Sequence, residues 1–219
     1  MSDTKARRLS TPRSAPVAGI AFALIFATSI ALLRSTMPSG LEGGSEWLES
    51  GSQRLSIALQ LFPFAGIAFL WFIGVIRDHL GEYEDRFFST IFFGSSLLFL
   101  AMVFVSAAIA GGILASYRAG LSSASGEEFV TFGRALMLQV SNIYALRMAS
   151  IIMTTLATIW LRTGLMPRWL AAVTYVLALV LLVVVNFSLW VTLLFPAWVL
   201  LISVYTLIVQ NRRAQAGPV

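Results

Sequence analysis

The side chain that most demands a chemical account is Arg147, set in Ile143-Tyr144-Ala145-Leu146-Arg147-Met148-Ala149-Ser150. A guanidinium is a permanent cation with a planar fork of donors, suited to a carboxylate, a phosphate or a lipid headgroup. At helical steps Tyr144, Ser150 and Thr154 join it in a mildly polar stripe that Thr158 extends, a candidate polar or anion site. Gln139 and Asn142 stand nearer one end of the same run, Gln60 and Asn186 in others. No Asp or Glu falls inside an apolar run, so the usual carboxylate partner is missing there. Two readings of Arg147 follow. In one it snorkels to the headgroups and is held by Glu42, Glu46 or Glu49; in the other it recognises an anion in an outward-open cavity.

Other constellations lead nowhere catalytic. The stretch 77–86 (Arg77-Asp78-His79-Leu80-Gly81-Glu82-Tyr83-Glu84-Asp85-Arg86) gathers four acids, two arginines and the single His. A tight turn at Gly81, flanked by arginines that face lipid phosphates, accounts for it, and the spacing of a zinc site is absent. Without Cys there is no thiolate nucleophile, and one His excludes two-histidine zinc and bis-histidine haem sites. A Ser–His mechanism would have to use His79, across the membrane from most Ser-rich loops. No phosphate-binding glycine loop precedes a soluble helix. The expectation is a non-enzymatic protein with no cofactor and no metal.

The elements that carry these residues follow from composition. Apolar types make up 58% of 219 residues and charged types 11%, against roughly 25% charged in ordinary soluble domains. A globule of this size still exposes about a quarter to a third of its chain surface, so water cannot be the only solvent. A helix needs about 20 apolar residues to cross a ~30 Å hydrocarbon core. Six runs qualify: 16–33, 57–76, 87–115, 135–161, 169–187 and 189–209. They are continuous rather than alternating, which excludes a membrane β-barrel. The fold class is therefore all-α, a polytopic transmembrane helical bundle. Residues 1–15 form a basic cytoplasmic tail and 210–219 a second cytoplasmic tail. Only Asn186 and Ser188 separate the last two runs, so that break can shift, and a re-entrant or tilted pair is the alternative.

Lys and Arg set the orientation. Ten fall on one side (both tails and the loops after the second and fourth spans) against Arg34, Arg54, Arg118 and Arg134 on the other. Both termini are expected in the cytoplasm of a plasma membrane. The 18-residue first run exceeds a secretory h-region and lacks a cleavage site, so it reads as an uncleaved span. The net charge of +5 is scattered, with no basic stripe between aromatics, which argues against nucleic acid as a partner.

Local signals add detail. Ser45 can cap a short interfacial helix carrying Glu46, Trp47 and Leu48. Ser125-Gly126-Glu127-Glu128 is a capping-box pattern, and a helix from there to Leu161 would be about 36 residues, or ~54 Å. With the overlong third run, it predicts a hairpin that projects outward. Pro63 and Pro196 are expected to kink the second and sixth spans. Small residues at four-residue spacing, notably Gly19, Ala23 and Ala27, then Ala107 with Gly111 and Ala108 with Gly112, offer helix-packing faces. Membrane lipids are the expected partners, with a homo-oligomer or another membrane protein as further ones.

The stretches 62–71 through Arg77-Asp78, 161–170 (Leu161-Arg162-Thr163-Gly164-Leu165-Met166-Pro167-Arg168-Trp169-Leu170) and Phe195-Pro196-Ala197-Trp198-Val199 resemble small multi-span membrane proteins of actinobacteria and related bacteria, a group with no known function. The likeness covers spans two to six. It implies a bacterial inner membrane and carries no functional residue with it. The expected function is a membrane-embedded accessory or interaction protein. The alternative is a small transporter or channel with an anion- or lipid-headgroup-binding cavity near Arg147. Because the chain has no Cys, orientation is directly testable. A cysteine at Glu46 or Ser123 should react with an impermeant thiol reagent added outside, and one at Tyr83 should not. The reverse pattern inverts the topology.

Overall fold

In a computed structural model, residues 14–37, 46–81, 86–120, 124–183 and 189–215 are described, and among them there is no strand. The helices are α1 (Ser14–Thr36), α2 (Glu46–Gly81), α3 (Arg86–Arg118), α4 (Ala124–Leu138), α5 (Leu146–Thr163), α6 (Arg168–Val183) and α7 (Leu194–Gln215). A π-helical segment, Gln139–Ala145, joins α4 to α5, and a 3₁₀ segment, Leu189–Leu193, leads into α7. The fold is an all-helical bundle. Five of its helices are long and apolar enough to cross a membrane, with α4, the π segment and α5 counted as one span of 38 residues from Gly126 to Thr163. The apolar α6 is shorter, 16 residues as described. The break expected at Asn186 and Ser188 lies outside the described residues.

Helices extend beyond their apolar runs. The second run, 57–76, is the middle of a 36-residue helix. Glu46, Trp47 and Leu48 are its first turn rather than a separate short helix, and Trp47 and Leu48 are buried against the bundle. The cause is a close approach to the end of α1: a Cβ on Gly51 would meet Thr36 Cβ at 2.9 Å. Polar residues here continue a helix whose inner face is already packed. The expected helix through 125–161 is seen, running from Ala124 to Thr163 through the π segment. Pro63 lies within α2. Pro196 falls in the first turn of α7, where a missing N–H has no helical acceptor to lose, so it starts a helix rather than kinking one. Gly164 ends α5 at φ 67°, and its N–H reaches the Trp160 carbonyl at 3.0 Å.

The helices close a ring: α1 packs on α2 and α7, α2 on α3, α3 on α5, α5 on α6, and α6 lightly on α7. At its centre Phe22, Phe69, Phe99 and Phe195 interlock, with centroids 4.7 Å apart for Phe22–Phe69 and Phe99–Phe195 and 5.3 Å for Phe69–Phe99. Tilted and edge-on aromatic pairs contribute about 0.5–1.5 kcal/mol each beyond area burial. On the far side, the Trp198 indole N–H donates to Thr174 Oγ1 at 3.0 Å, and Thr158 and Tyr175 hydroxyls bond at 2.7 Å, tying α6 to α7 and α5. Outward, Phe64, Ile67, Trp71, Val176, Leu179 and Val183 are exposed. Such an apolar surface matches a lipid solvent.

Of the proposed packing faces, Gly19 and Ala23 are buried within the bundle. A Cβ on Gly19 would run into Ser203 Oγ and come within 2.8 Å of the Phe72 ring, so α1, α2 and α7 meet there because no side chain intervenes. Ala27, Ala107 and Gly111 are half-buried, while Gly112 is exposed, and a Cβ added there would have no described neighbour within 4 Å. Gly19→Leu should therefore destabilise the protein by about 1–3 kcal/mol. Gly112→Leu should stay within about 0.5 kcal/mol of wild type. Unfolding in mixed micelles titrated with a denaturing detergent measures both.

Candidate functional site

Arg147 is exposed on α5, and Tyr144 beside it is 52% exposed. Thr154 is exposed and gives its hydroxyl proton to the Ser150 carbonyl at 2.8 Å. Ser150 instead faces inward and donates to the Leu146 carbonyl at 3.0 Å. Hydroxyls that bond one turn back along their own helix offer little to a ligand. The stripe read from the sequence is thus split between two faces. Glu46 and Glu49 are not partners of Arg147, and Glu42 lies outside the described residues.

Among the described residues two other arginines are buried: Arg34, 4% exposed, and Arg134, 2% exposed. Arg34 reads from sequence as the start of a loop, but α1 continues to Thr36 and turns its guanidinium into the bundle. There Nη2 donates to Asn142 Oδ1 at 2.5 Å. Asn142 belongs to the π segment, whose i→i+5 turn is wider than an α turn and changes which side chains face inward. Ser141 Oγ has one proton for two acceptors in reach, the Leu138 carbonyl at 3.3 Å and Asn142 Oδ1 at 3.2 Å. Arg34 Nε and Nη1 are buried without a hydrogen-bond partner among the described residues. Arg34 is among the residues that line a cavity of about 20 Å³, with Phe26, Phe62, Phe99, Ser106, Ser141 and Thr192. The adjacent polar pair Ser141-Asn142 within an otherwise apolar span was the available sequence signal.

A larger pocket, about 330 Å³, opens at the other end of the bundle, where α1 begins and α2, α5 and α7 end. Phe72, Ile76, Trp160, Met166 and Tyr205 form much of its wall. Ser203, 2% exposed, and Gln210 also line it, and Ser203 Oγ and Gln210 Oε1 are buried without a hydrogen-bond partner among the described residues. The phenylalanine cluster lies between the two cavities: Phe99 walls the small one, and Phe72, packed 6.3 Å from Phe69, walls the large one. Arg147 lines neither.

No protein-family model, curated protein or solved structure matches the chain.

At the end of the bundle that holds the large pocket, Arg77 lies over the Phe93 ring, 4.3 Å from its centroid, and Arg162 over Phe88 at 4.6 Å. Ring faces hold both guanidinium groups against α3. Among the described residues no group of three or more His, Asp or Glu could hold a metal. The contrast between the arginines is measurable. Asn142→Ala should cost about 1.5–3 kcal/mol, the range for a hydrogen bond to a charged group. Arg147→Leu should leave stability unchanged or raise it. Detergent-titrated unfolding of both variants checks the order.

Proposed function

We propose that this chain is a non-enzymatic accessory protein of a membrane that holds a lipid-like amphiphile in the pocket between α1, α2, α5 and α7. The observation that carries this reading is the pocket itself: about 330 Å³ and mostly apolar, with Thr206 and Gln210 among its few polar lining residues. Ligand sites of this size are apolar cavities in which a few polar groups fix orientation. A few polar side chains beside an apolar wall suit an amphiphile with a small neutral head, with the apolar tail along Phe72, Ile76 and Trp160. The excess of Lys and Arg on the side of both tails supports a plasma membrane with this pocket on the cytoplasmic side. The resemblance to multi-span proteins of actinobacteria and related bacteria points to a bacterial inner membrane. Association with a second copy or another membrane protein belongs to the same reading, and at Gly112 close approach is sterically open. Transport is less favoured, because the phenylalanine cluster stands between the two cavities and Arg147 opens into neither.

A monoacylglycerol is a suitable probe, a single apolar tail with a neutral hydroxylated head. At a hundredfold excess over Kd it should raise the melting temperature of the purified protein by roughly 5–10 °C. Thr206→Trp, at a half-buried position on the pocket wall, should fill the space and remove that shift while leaving the unliganded melting temperature near wild type. An equal shift in wild type and variant would place the amphiphile elsewhere and reject the pocket.

A further inference from the structure

We propose that Arg147 and Tyr144 hold the phosphate of a membrane phospholipid on the outward face of α5, toward the end of the bundle that carries α4. Arg147 is exposed, and Ile151 and Leu161, further along the same face, are exposed and apolar. A cation on a face of this kind meets lipid, where it is costly unless a counter-charge reaches it. The described protein does not supply one. Among the described residues Arg147 has no hydrogen bond or ion pair. Glu128 is the last acid in the chain, so α5, α6 and α7 carry no carboxylate, and α3 carries none either. Along the rod of α4, the π segment and α5, Glu128 stands nineteen residues from Arg147, or ~28 Å.

Depth and direction both lead to the phosphate level. Arg147 lies fifteen residues from Arg162, ~22 Å along the helix, in a hydrocarbon core of ~30 Å. With Arg162 at one boundary, the other is ~8 Å beyond Arg147. The bond between Arg34 and Asn142 gives the same level independently: Arg34 closes the apolar run 16–33, and Asn142 stands five residues, ~7.5 Å, before Arg147. Helical Cα–Cβ bonds lean toward the N-terminus, so the long Arg147 side chain leans toward that boundary. Tyr144, 52% exposed, is three residues nearer to it and also faces outward, and tyrosine favours the headgroup level. A guanidinium fork and a phenol hydroxyl are donors, and a phosphodiester offers the oxygens they need together with the charge that cancels the cation. Thr154 is outside the site, because its proton goes to the Ser150 carbonyl and it lies toward the middle of the core. This inference is independent of the large pocket at the opposite end.

The test uses the purified full-length protein in phospholipid-free micelles saturated with dioleoylglycerol. That lipid has two tails and no phosphate, so it occupies sites that need only a tail, the large pocket included. Dioleoyl phosphatidylglycerol, with the same tails, is then titrated, and native mass spectrometry gives the Kd of the first molecule bound. Arg147→Leu should weaken it about tenfold, and Arg147→Lys, a point charge in place of the fork, should fall between. Arg212→Leu, which removes an exposed arginine at the opposite end, should stay within about twofold of wild type. Should Arg147→Leu fail to fold, Arg147→Lys and Tyr144→Phe decide, each expected to be weaker than wild type by about threefold or more. An unchanged Kd in the Arg147 and Tyr144 variants would mean that water alone solvates the guanidinium, and would overturn the proposal. An equal loss in Arg212→Leu would make the binding a matter of general charge and overturn it as well.

Discussion

Phe22 of α1 stands between Phe69 of α2 and Phe195 of α7, with Phe99 of α3 closing the group. Much of the bundle hangs on this contact. In lipid there is no hydrophobic gain from bringing one apolar helix to another, because the tails outside are as oily as the core. What remains is close packing, and interlocked rings on four different helices provide it with defined geometry. Gly19, one turn before Phe22, allows α1 to approach α7 and Phe72 closely enough for the rings to meet. The same cluster divides the interior into two cavities of different character, one small and edged by a cation, the other large and apolar.

Polar groups follow a consistent rule. Most Ser and Thr hydroxyls in the helices bond to a carbonyl one turn back, as in Thr28, Ser29, Ser95, Ser150, Thr154 and Thr174. They are thereby neutralised as hydrogen-bonding sites. The exceptions stand out against that background: Ser203 and Gln210 at one cavity, and Arg34 with Asn142 at the other. Unmet hydrogen-bonding capacity in an apolar interior is unfavourable.

The arginines illustrate how far a linear reading reaches. Arg147 drew attention because it interrupts an apolar run, yet its side chain points outward. Arg34 drew none, standing where the apolar run stops, and it is one of the two described arginines buried in the interior. The run ended at residue 33, but the helix did not; three further residues carried the guanidinium inward over the π segment.

Length of apolar run, the absence of acids within it, and the capping pattern at 125–128 were enough to specify an all-helical bundle with helices long and apolar enough to cross a membrane, and the long rod ending near Leu161. Peptide groups in hydrocarbon have few ways to be satisfied, so hydropathy alone decides for helix. The inward face of each helix could not be read the same way. In water the buried face is marked by being more apolar than the rest; in lipid both faces are apolar, and the pattern that would mark the core is erased. Which ring meets which, that Gly19 is buried while Gly112 is bare, and which arginine is enclosed were decided only when the helices packed. Those choices depend on shape and close contact between distant segments, and a single run of sequence carries neither.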